Sequence, residues 1–342
     1  MNKSIISIAI ETSCDETAIT VLRGRFEPLA EIVASQHEIH GKYGGIVPEL
    51  ACRRHAELIR PLVHDALEQA GVGFADLNLV SVTRGPGLVG ALLVGLSYAK
   101  GLAFGLDLPL VGVNHLEGHV SAAFITQPDL PFPLLALLVS GGHTELFLVQ
   151  KTGKMKRLGG TRDDAAGEVF DKVAKFLDLG YPGGPPVEKM SAKGEAKYRI
   201  PVAMAKSGTP EFSFSGPKTA VKHLIQKLKE ENGNSLPIRD ICASFQKSII
   251  DALELKTQVA IKSSKPASIA VVGGVACNNA LRERMTLLGE RLGIPVIIPK
   301  PELCSDNATM IGTAGVTMYL DNPESGEWRD YLNMDAKPGW LS

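Results

Sequence analysis

His115 and His119, in the run His-Leu-Glu-Gly-His, are the residues whose types and spacing most directly imply chemistry. On a helix, positions four apart share a face, so both imidazoles can reach one metal ion. The competing reading is two histidines that hydrogen-bond within the fold. The pattern is not the metalloprotease HExxH. There a general-base Glu directly follows the first His, whereas Glu117 is two residues on and turns to another face, so peptide hydrolysis lacks its base. A two-histidine site needs at least a third ligand, preferably anionic. Asp306, in Cys304-Ser-Asp-Asn307 ahead of an apolar helical stretch, suits by type, although an aspartate there also serves as a helix cap.

Three small-residue turns follow apolar strands: Thr12-Ser-Cys-Asp-Glu-Thr17, Ser140-Gly-Gly142 and Gly273-Gly274. Such turns offer backbone N–H groups to phosphate oxygens, and together they point to a nucleotide. Asp15 and Glu16 are too acidic to cradle phosphate unaided. They suit a bound cation or an attacking nucleophile, or are plain turn acids. Asp171, shortly after Gly167, is placed to reach ribose hydroxyls, and Tyr181-Pro-Gly-Gly-Pro185 is a rigid loop suited to packing on a base or ribose.

The elements that position these residues alternate between strand and helix. Ser4–Glu11 and Ala18–Leu22 are expected strands around the first turn, and Leu134–Val139 and Glu145–Val149 repeat that hairpin around the second. The repetition implies an internal duplication and two similar lobes. Helices are expected at Pro48–Ala70, Leu88–Gly105, His115–Phe124, Asp163–Leu177, Gly216–Glu231, Ile238–Ser263, Asn278–Leu292 and Asn307–Leu320. Short strands are expected at Leu79–Thr83, Leu110–Val113, Ser268–Val272 and Ile294–Ile298, and no element after Asp321. The fold class is therefore α/β.

The 342 residues, 44% hydrophobic and 21% charged, are those of a globular protein with more than one core. Five scattered cysteines without a CxxC argue against a disulfide framework or a zinc–thiolate site, and make the cytoplasm the default. No stretch reads as about 18 uncharged apolar residues, so no membrane span is expected. A net charge of −1 argues against a protein that coats nucleic acid. Between Val187 and Lys229, however, nine Lys or Arg stand against three acids, which is either a solvated helical face or a phosphate-backbone footprint.

In order, from about residue 5 to 320, Ile10-Glu-Thr-Ser-Cys-Asp-Glu-Thr17, Tyr43-Gly-Gly-Ile-Val-Pro-Glu-Leu50, Gly85-Pro-Gly-Leu-Val-Gly90, His115–His119, Leu138-Val-Ser-Gly-Gly-His-Thr144, Asp164-Ala-Ala-Gly-Glu168, Phe212-Ser-Phe-Ser-Gly216 and Gly273-Gly-Val275 stand in the chain. These motifs resemble the bacterial tRNA threonylcarbamoyladenosine transferase family, TsaD. The resemblance implies a two-lobed actin-like (ASKHA) fold with duplicated mixed sheets and a nucleotide cleft between lobes. Residues 1–128 with about 307–325 would form one lobe, 129–306 the other, and 326–342 a tail. It implies transfer of a threonylcarbamoyl group from threonylcarbamoyl-AMP to the N6 amine of the tRNA adenosine 3′ of the anticodon, with ATP or ADP able to occupy the same cleft.

By motif match, His115, His119 and Asp306 would hold one divalent ion, iron or zinc. Leu138, Val139, Ser140, Gly141, Gly142, Asp171, Gly184 and Asn278 would hold the adenylate. Asp15 and Glu16 match acidic positions tied to activity. One departure is Glu188, where the pattern expects Asp; a carboxylate is kept, and with it the possibility of a ribose contact. The implied partners are tRNA, a catalytically inactive paralogue of similar fold and a small P-loop ATPase, with no membrane. Rival readings are an actin-like small-molecule kinase or ATPase, a non-catalytic scaffold paralogue, and a glycoprotein endopeptidase.

Overall fold

The structure is a computed structural model that describes residues 5–340 apart from 152 and 234. The chain divides into two compact units. One comprises Met1–Asp129, Lys151–Met155 and Ser305–Ser342, the other Leu130–Gln150 and Lys156–Cys304.

The first unit is built on β1 (Ile6–Glu11), β2 (Glu16–Arg23), β3 (Glu27–Ser35), β4 (Leu79–Gly85) and β5 (Leu110–Asn114), in spatial order β3-β2-β1-β4-β5. β1 and β2 form the expected hairpin, with Glu11 opposite Ala18, while β4 runs parallel to β1 and β5 to β4. Its helices are α1 (His37–Gly41), α2 (Pro48–Ala70), α3 (Val89–Leu106) and α4 (His115–Thr126). α2 begins with Pro and ends at Gly71 in the left-handed region (φ 66°), as the Pro and Gly signals require. Ile8, Ile10, Val80 and Val82 of the sheet pack with Val63, Leu67, Leu96 and Ala99 of α2 and α3 in one core.

α3 is, among the described residues, the one helix long and apolar enough by length and composition to cross a membrane, though it is not the uncharged apolar stretch that the sequence was expected to lack. Lys100 is its charge, and its Ala91, Leu92, Gly95, Leu96, Ala99 and Ala103 are buried in the unit.

The second unit repeats the plan. β6 (Leu134–Val139), β7 (Thr144–Lys151), β8 (Lys154–Gly160), β9 (Ser268–Val272) and β10 (Val296–Ile297) stand in the order β8-β7-β6-β9-β10. That is the order of the first sheet, strand for strand, so the duplication legible in two hairpins extends to whole sheets. Against this sheet pack α5 (Ala166–Phe176), α6 (Gly184–Ser191), α7 (Ser215–Asn232), α8 (Ile238–Ser264), α9 (Asn279–Leu292) and α10 (Pro301–Cys304), around Phe170, Phe212, Phe214 and Phe245. The chain then returns to the first unit as α11 (Ala308–Asp321).

Three differences from the sequence expectation have physical causes. β3 and β8 carry Pro28, alternating charges and few buried side chains, because they are edge strands that need no continuous apolar run. α5 starts at Ala166 rather than Asp163, because Asp163 caps another helix: it accepts from the backbone N–H groups of Phe214 (2.7 Å) and Ser215 (3.3 Å). The tail, for which pattern predicts nothing, forms 3-10 turns at Gly326–Trp328 and Tyr331–Asn333. Backbone bonds from Lys337 N to Arg84 O (2.8 Å) and Gly87 N to Pro338 O (3.2 Å) fix it beside the end of β4.

Candidate active site

α4 begins directly where β5 ends, because Asn114 accepts at its Oδ1 from the N–H groups of Leu116 (2.8 Å) and Glu117 (3.4 Å). That cap sets His115 and His119 on one buried helix face, with ring centroids 4.7 Å apart. Asp306 arrives from the other end of the chain. Asn307, not Asp306, caps α11, its Oδ1 accepting from Met310 N at 2.8 Å. The carboxylate of Asp306 faces the two histidines. Its Oδ1 lies 3.1 Å from His119 Nε2 and 3.5 Å from His115 Nε2. One ligand atom from each of the three falls within 4.8 Å of the others.

The set fits a divalent ion by its chemistry. His119 is completely buried, and neither of its ring nitrogens has a hydrogen-bond partner. Unpaired buried polar atoms are costly, and a cation facing Nε2 would satisfy one of them. His115 is oriented from behind by Glu11, to which its Nδ1–H donates at 3.0 Å, leaving Nε2 for the shared position. Burial opposes the charged imidazole, yet the Asp306 and Glu11 carboxylates outweigh it and hold His115 up to about 9. Burial likewise pushes Glu11 up, but its ion pair with His115 leaves it below the ordinary carboxylate range. The pocket thus favours positive charge. Glu11 also accepts from Thr83 Oγ1 (2.5 Å) and Ser13 N.

Asp15 ends the turn between β1 and β2, Glu16 opens β2, and both are almost fully buried. Neighbouring backbone holds this turn closely. Leu88 N donates to Ser13 O (2.8 Å), and a Cβ on Gly87, at φ 158°, would lie 2.6 Å from the same oxygen. Only a residue without a side chain fits there. Burial lifts Glu16 to about 8, with the acids Asp306 and Asp15 adding to the rise and His37 opposing it. His37 Nε2 stands 3.2 Å from Glu16 Oε1 and 3.4 Å from Asp15 Oδ2.

Pattern reading does not single out His55, yet it grips both ends of this acidic pair. Its Nε2–H donates to Cys14 O at 3.0 Å, and its Nδ1 accepts from Thr17 Oγ1 at 2.8 Å. Burial keeps the ring below the ordinary histidine range, consistent with a neutral imidazole acting as donor and acceptor at once. Replacing His55 with Ala should cost about 2–4 kcal/mol, because two buried groups lose their partners and a cavity opens. Chemical denaturation checks this, and an unchanged midpoint would show that the turn is held without His55.

In the second unit, the parallel neighbours β6 and β9 end on the same edge, at Val139 and Val272. Leu138 and Val139 are fully buried, so only their backbone faces the turn, whereas Gly141 and Gly142 are exposed. Ser140 closes the turn, its N donating to His143 O (2.8 Å) and its Oγ accepting from His143 N (3.1 Å). Gly273, at φ 90°, lets β9 exit so tightly that a Cβ would meet Val139 O at 2.5 Å.

Asp171 Oδ1 accepts from Gly183 N at 2.6 Å and so anchors the loop ahead of Gly184, the first residue of α6. The stretch Tyr181–Pro185, read from sequence as a rigid loop, gives its last two residues to the first turn of α6, where prolines are favoured. Asn278 caps α9, accepting from Leu281 N (3.1 Å) and donating to Gln246 Oε1 (2.8 Å). Glu188 Oε1 accepts from Asn279 N (2.8 Å) and Nδ2 (3.0 Å), tying α6 to the start of α9. The sequence-predicted residues of each unit thus gather locally. Asp171, Glu188 and Asn278 hold that rim of the second unit together.

The family model for tRNA N6-adenosine threonylcarbamoyltransferase, TsaD, matches residues 27–313. The tRNA N6-adenosine threonylcarbamoyltransferase of Desulfitobacterium hafniense (strain Y51) is 48% identical over 99% of this chain and 98% of its own length. That of Clostridium perfringens (strain SM101) is 51% identical over the same shares. Among solved structures, HypF of T. kodakarensis superposes with TM-score 0.62 at 14% identity, covering 94% of this chain and 49% of that one. The (R)-2-hydroxyglutaryl-CoA dehydratase component A of Acidaminococcus fermentans gives TM-score 0.55 at 15% identity, covering 93% and 100%. These two likenesses concern the fold, which is the actin-like α/β fold. With two repeated mixed sheets and half of its residues shared with these transferases across nearly the whole chain, this protein belongs to the tRNA N6-adenosine threonylcarbamoyltransferase family, TsaD.

Proposed function

We propose that this chain transfers the threonylcarbamoyl group of threonylcarbamoyl-AMP to the N6 amine of the tRNA adenosine 3′ of the anticodon, in the cytoplasm. The observation that carries the reading is the His115–His119–Asp306 set, buried and braced by Glu11, in a chain of this family. A divalent ion held there supplies Lewis-acid polarisation of a carbonyl or phosphoryl oxygen, and imidazole with carboxylate suits Fe2+ and Zn2+ alike.

The N6 nitrogen attacks the carbamoyl carbon, the bond from that carbon to the phosphate oxygen breaks, and AMP leaves. The adenine amine is a weak nucleophile, so positioning contributes much of the rate. Asp15 takes the N6 proton. Glu16, kept protonated near neutrality by its burial, donates a hydrogen bond to Asp15. Backbone N–H groups of Ser140, Gly141 and Gly142 receive phosphate charge, and Asp171, Gly184, Glu188 and Asn278 shape the adenylate site. ATP or ADP would compete for it.

Partners of the proposed reaction are tRNA, an inactive paralogue of similar fold and a small P-loop ATPase. The basic run supplies a phosphate footprint in the second unit. Lys197, Lys218 and Lys227 are already paired with Glu195 and Asp240, Asp164, and Glu231. Lys222 and Lys229 are the better phosphate contacts, and changing both to Glu should lower the salt slope of tRNA binding by about 2. Filter-binding titrations over a salt series read this out; an unchanged slope places tRNA elsewhere.

The deciding experiment incubates the purified chain with tRNA and fresh threonylcarbamoyl-AMP, with and without the proposed partners, and analyses digested nucleosides by mass spectrometry. Threonylcarbamoyladenosine made by the wild type and not by His115→Ala/His119→Ala supports the reading. No product from folded, metal-loaded protein under any condition sinks it in favour of the kinase or scaffold alternatives.

A further inference from the structure

β1, β4 and β5 run parallel, with Ile10 beside Val82 and Gly85 beside Asn114, so their carboxyl ends share one edge of the first sheet. Ligand sites of open α/β sheets gather beyond that edge. Here it carries the turn of Asp15 after β1 and His115 after β5. Gly85-Pro-Gly87, at the end of β4, is a family motif that the proposed chemistry leaves unused. It holds the end of the chain. Backbone bonds join Arg84 to Lys337 and Gly87 to Pro338. In addition, Arg84 Nε donates to Asp335 O (2.7 Å) and Asn114 Nδ2 to Trp340 O (3.3 Å). A Cβ on Gly85, at φ 151°, would collide with the carbonyl oxygen of Lys337, so strand end and tail meet backbone to backbone.

This packing gathers one aromatic ring and two cations on that edge. The guanidinium carbon of Arg84 lies 5.8 Å from the centroid of the Trp340 ring, and Lys337 Nζ lies 4.9 Å from it, both in cation–π range. Lys337 is exposed, and Arg84 and Trp340 are half-buried. Among the described residues neither cation forms an ion pair, and Arg84 spends only its Nε, which leaves both terminal nitrogens as donors. The rest of the site is acidic, with Glu11, Asp15, Glu16 and Asp306 in the same unit.

We propose that Arg84 and Lys337, held by Trp340, bind the phosphodiester backbone of the unpaired anticodon-loop nucleotides beside the target adenosine, making the C-terminal tail part of the RNA-binding surface. The inference rests on tRNA being the substrate. A target adenosine arrives with its own phosphates attached, and the carboxylates of the site repel them. Positive charge at the rim offsets that repulsion. Arg84 offers phosphate oxygens a planar fork and Lys337 a mobile point charge, and the indole fixes one relative to the other. The bond from Asn114, which also caps α4, ties this rim to the helix that carries His115 and His119. The adenylate has its own phosphate contacts, proposed above at the Ser140–Gly142 turn of the other unit, so these two cations are left to the RNA.

Full-length protein, with the proposed partners present, is titrated with a synthetic anticodon stem–loop hairpin over a salt series. Lys337→Ala should weaken binding about five- to tenfold near 0.1 M salt, and Arg84→Gln/Lys337→Ala should lower the salt slope by about 1–2. The Lys337 side chain makes no hydrogen bond among the described residues, so Lys337→Ala leaves the backbone contacts of the tail in place. Arg84→Lys keeps the charge and should keep the slope. A hairpin that does not bind the wild type, or a slope unchanged in the double variant, overturns the proposal. So does an equal loss for an acceptor-stem hairpin, which would make the effect one of overall charge. Nucleoside mass spectrometry of the wild type decides the transfer reaction separately. Product with an unchanged slope removes only the rim contact, whereas the expected fall in slope without product keeps the contact and removes the transferase reading.

Discussion

His119→Ala is expected to lose bound metal and to lower threonylcarbamoyl transfer on the order of 10^3-fold while the protein stays folded. The size follows from the several kcal/mol that a positioned cation contributes to transition-state charge, each ~1.4 kcal/mol being a factor of ten. His119 is completely buried and makes no hydrogen bond, and its protein neighbour at Nε2, Asp306 Oδ1 at 3.1 Å, keeps His115 beside it when His119 is removed. The ring leaves a cavity, which costs some stability, but the α4 cap at Asn114 and the pairing of His115 with Glu11 stay intact. Elemental analysis of metal per chain and nucleoside mass spectrometry give the two readouts. Glu11→Gln is the graded companion. It keeps the three candidate ligands but weakens the orientation of His115, and should lower metal affinity about 10–100-fold. Full metal occupancy with full transfer in His119→Ala would remove this site from the mechanism.

Asp15→Asn is expected to reduce kcat by about 10²–10⁴, the usual share of a general base, with little change in KM for tRNA. The amide keeps the shape of the side chain and the grip of His55 on the turn, so a fall in rate reports lost basicity and not a collapsed loop. Glu16→Gln separates the two acids. Because burial holds Glu16 at about 8, the wild-type side chain is neutral near pH 7, and Gln mimics it. The variant should therefore keep most of its rate at neutral pH. As pH rises through about 8, wild-type Glu16 ionises beside Asp15 and Gln does not, so the two rate profiles should part there. Equal losses for both variants at pH 7 would mean that the acids share one proton-accepting role.

The roles of Asp15, Glu16 and the metal set are thus open to separate tests, and the sequence made them visible to different degrees. His115 and His119 could be read as a pair from helical spacing alone, since a period near 3.6 puts them on one face. The three glycine and hydroxyl turns could be read as turns because small polar residues after an apolar strand end it. Edge strands β3 and β8 escaped the same reading, because half-exposed strands share their composition with loops.

What the sequence alone determined is the alternation of strands and helices, the repeated hairpin, the histidine pair and the ordered motifs of the family. Each is a local pattern, governed by residues within a few positions of one another. Only the tertiary structure decided that Asn307 caps α11 and Asp306 reaches the histidines, nearly 200 residues away in the chain. It alone showed that Glu11 stands behind His115 and that His55 spans Asp15 and Glu16. The reason is physical. A side chain's second partner, its burial and the charge around it come from segments distant in the chain, brought together by sheet order and helix packing that no local period records.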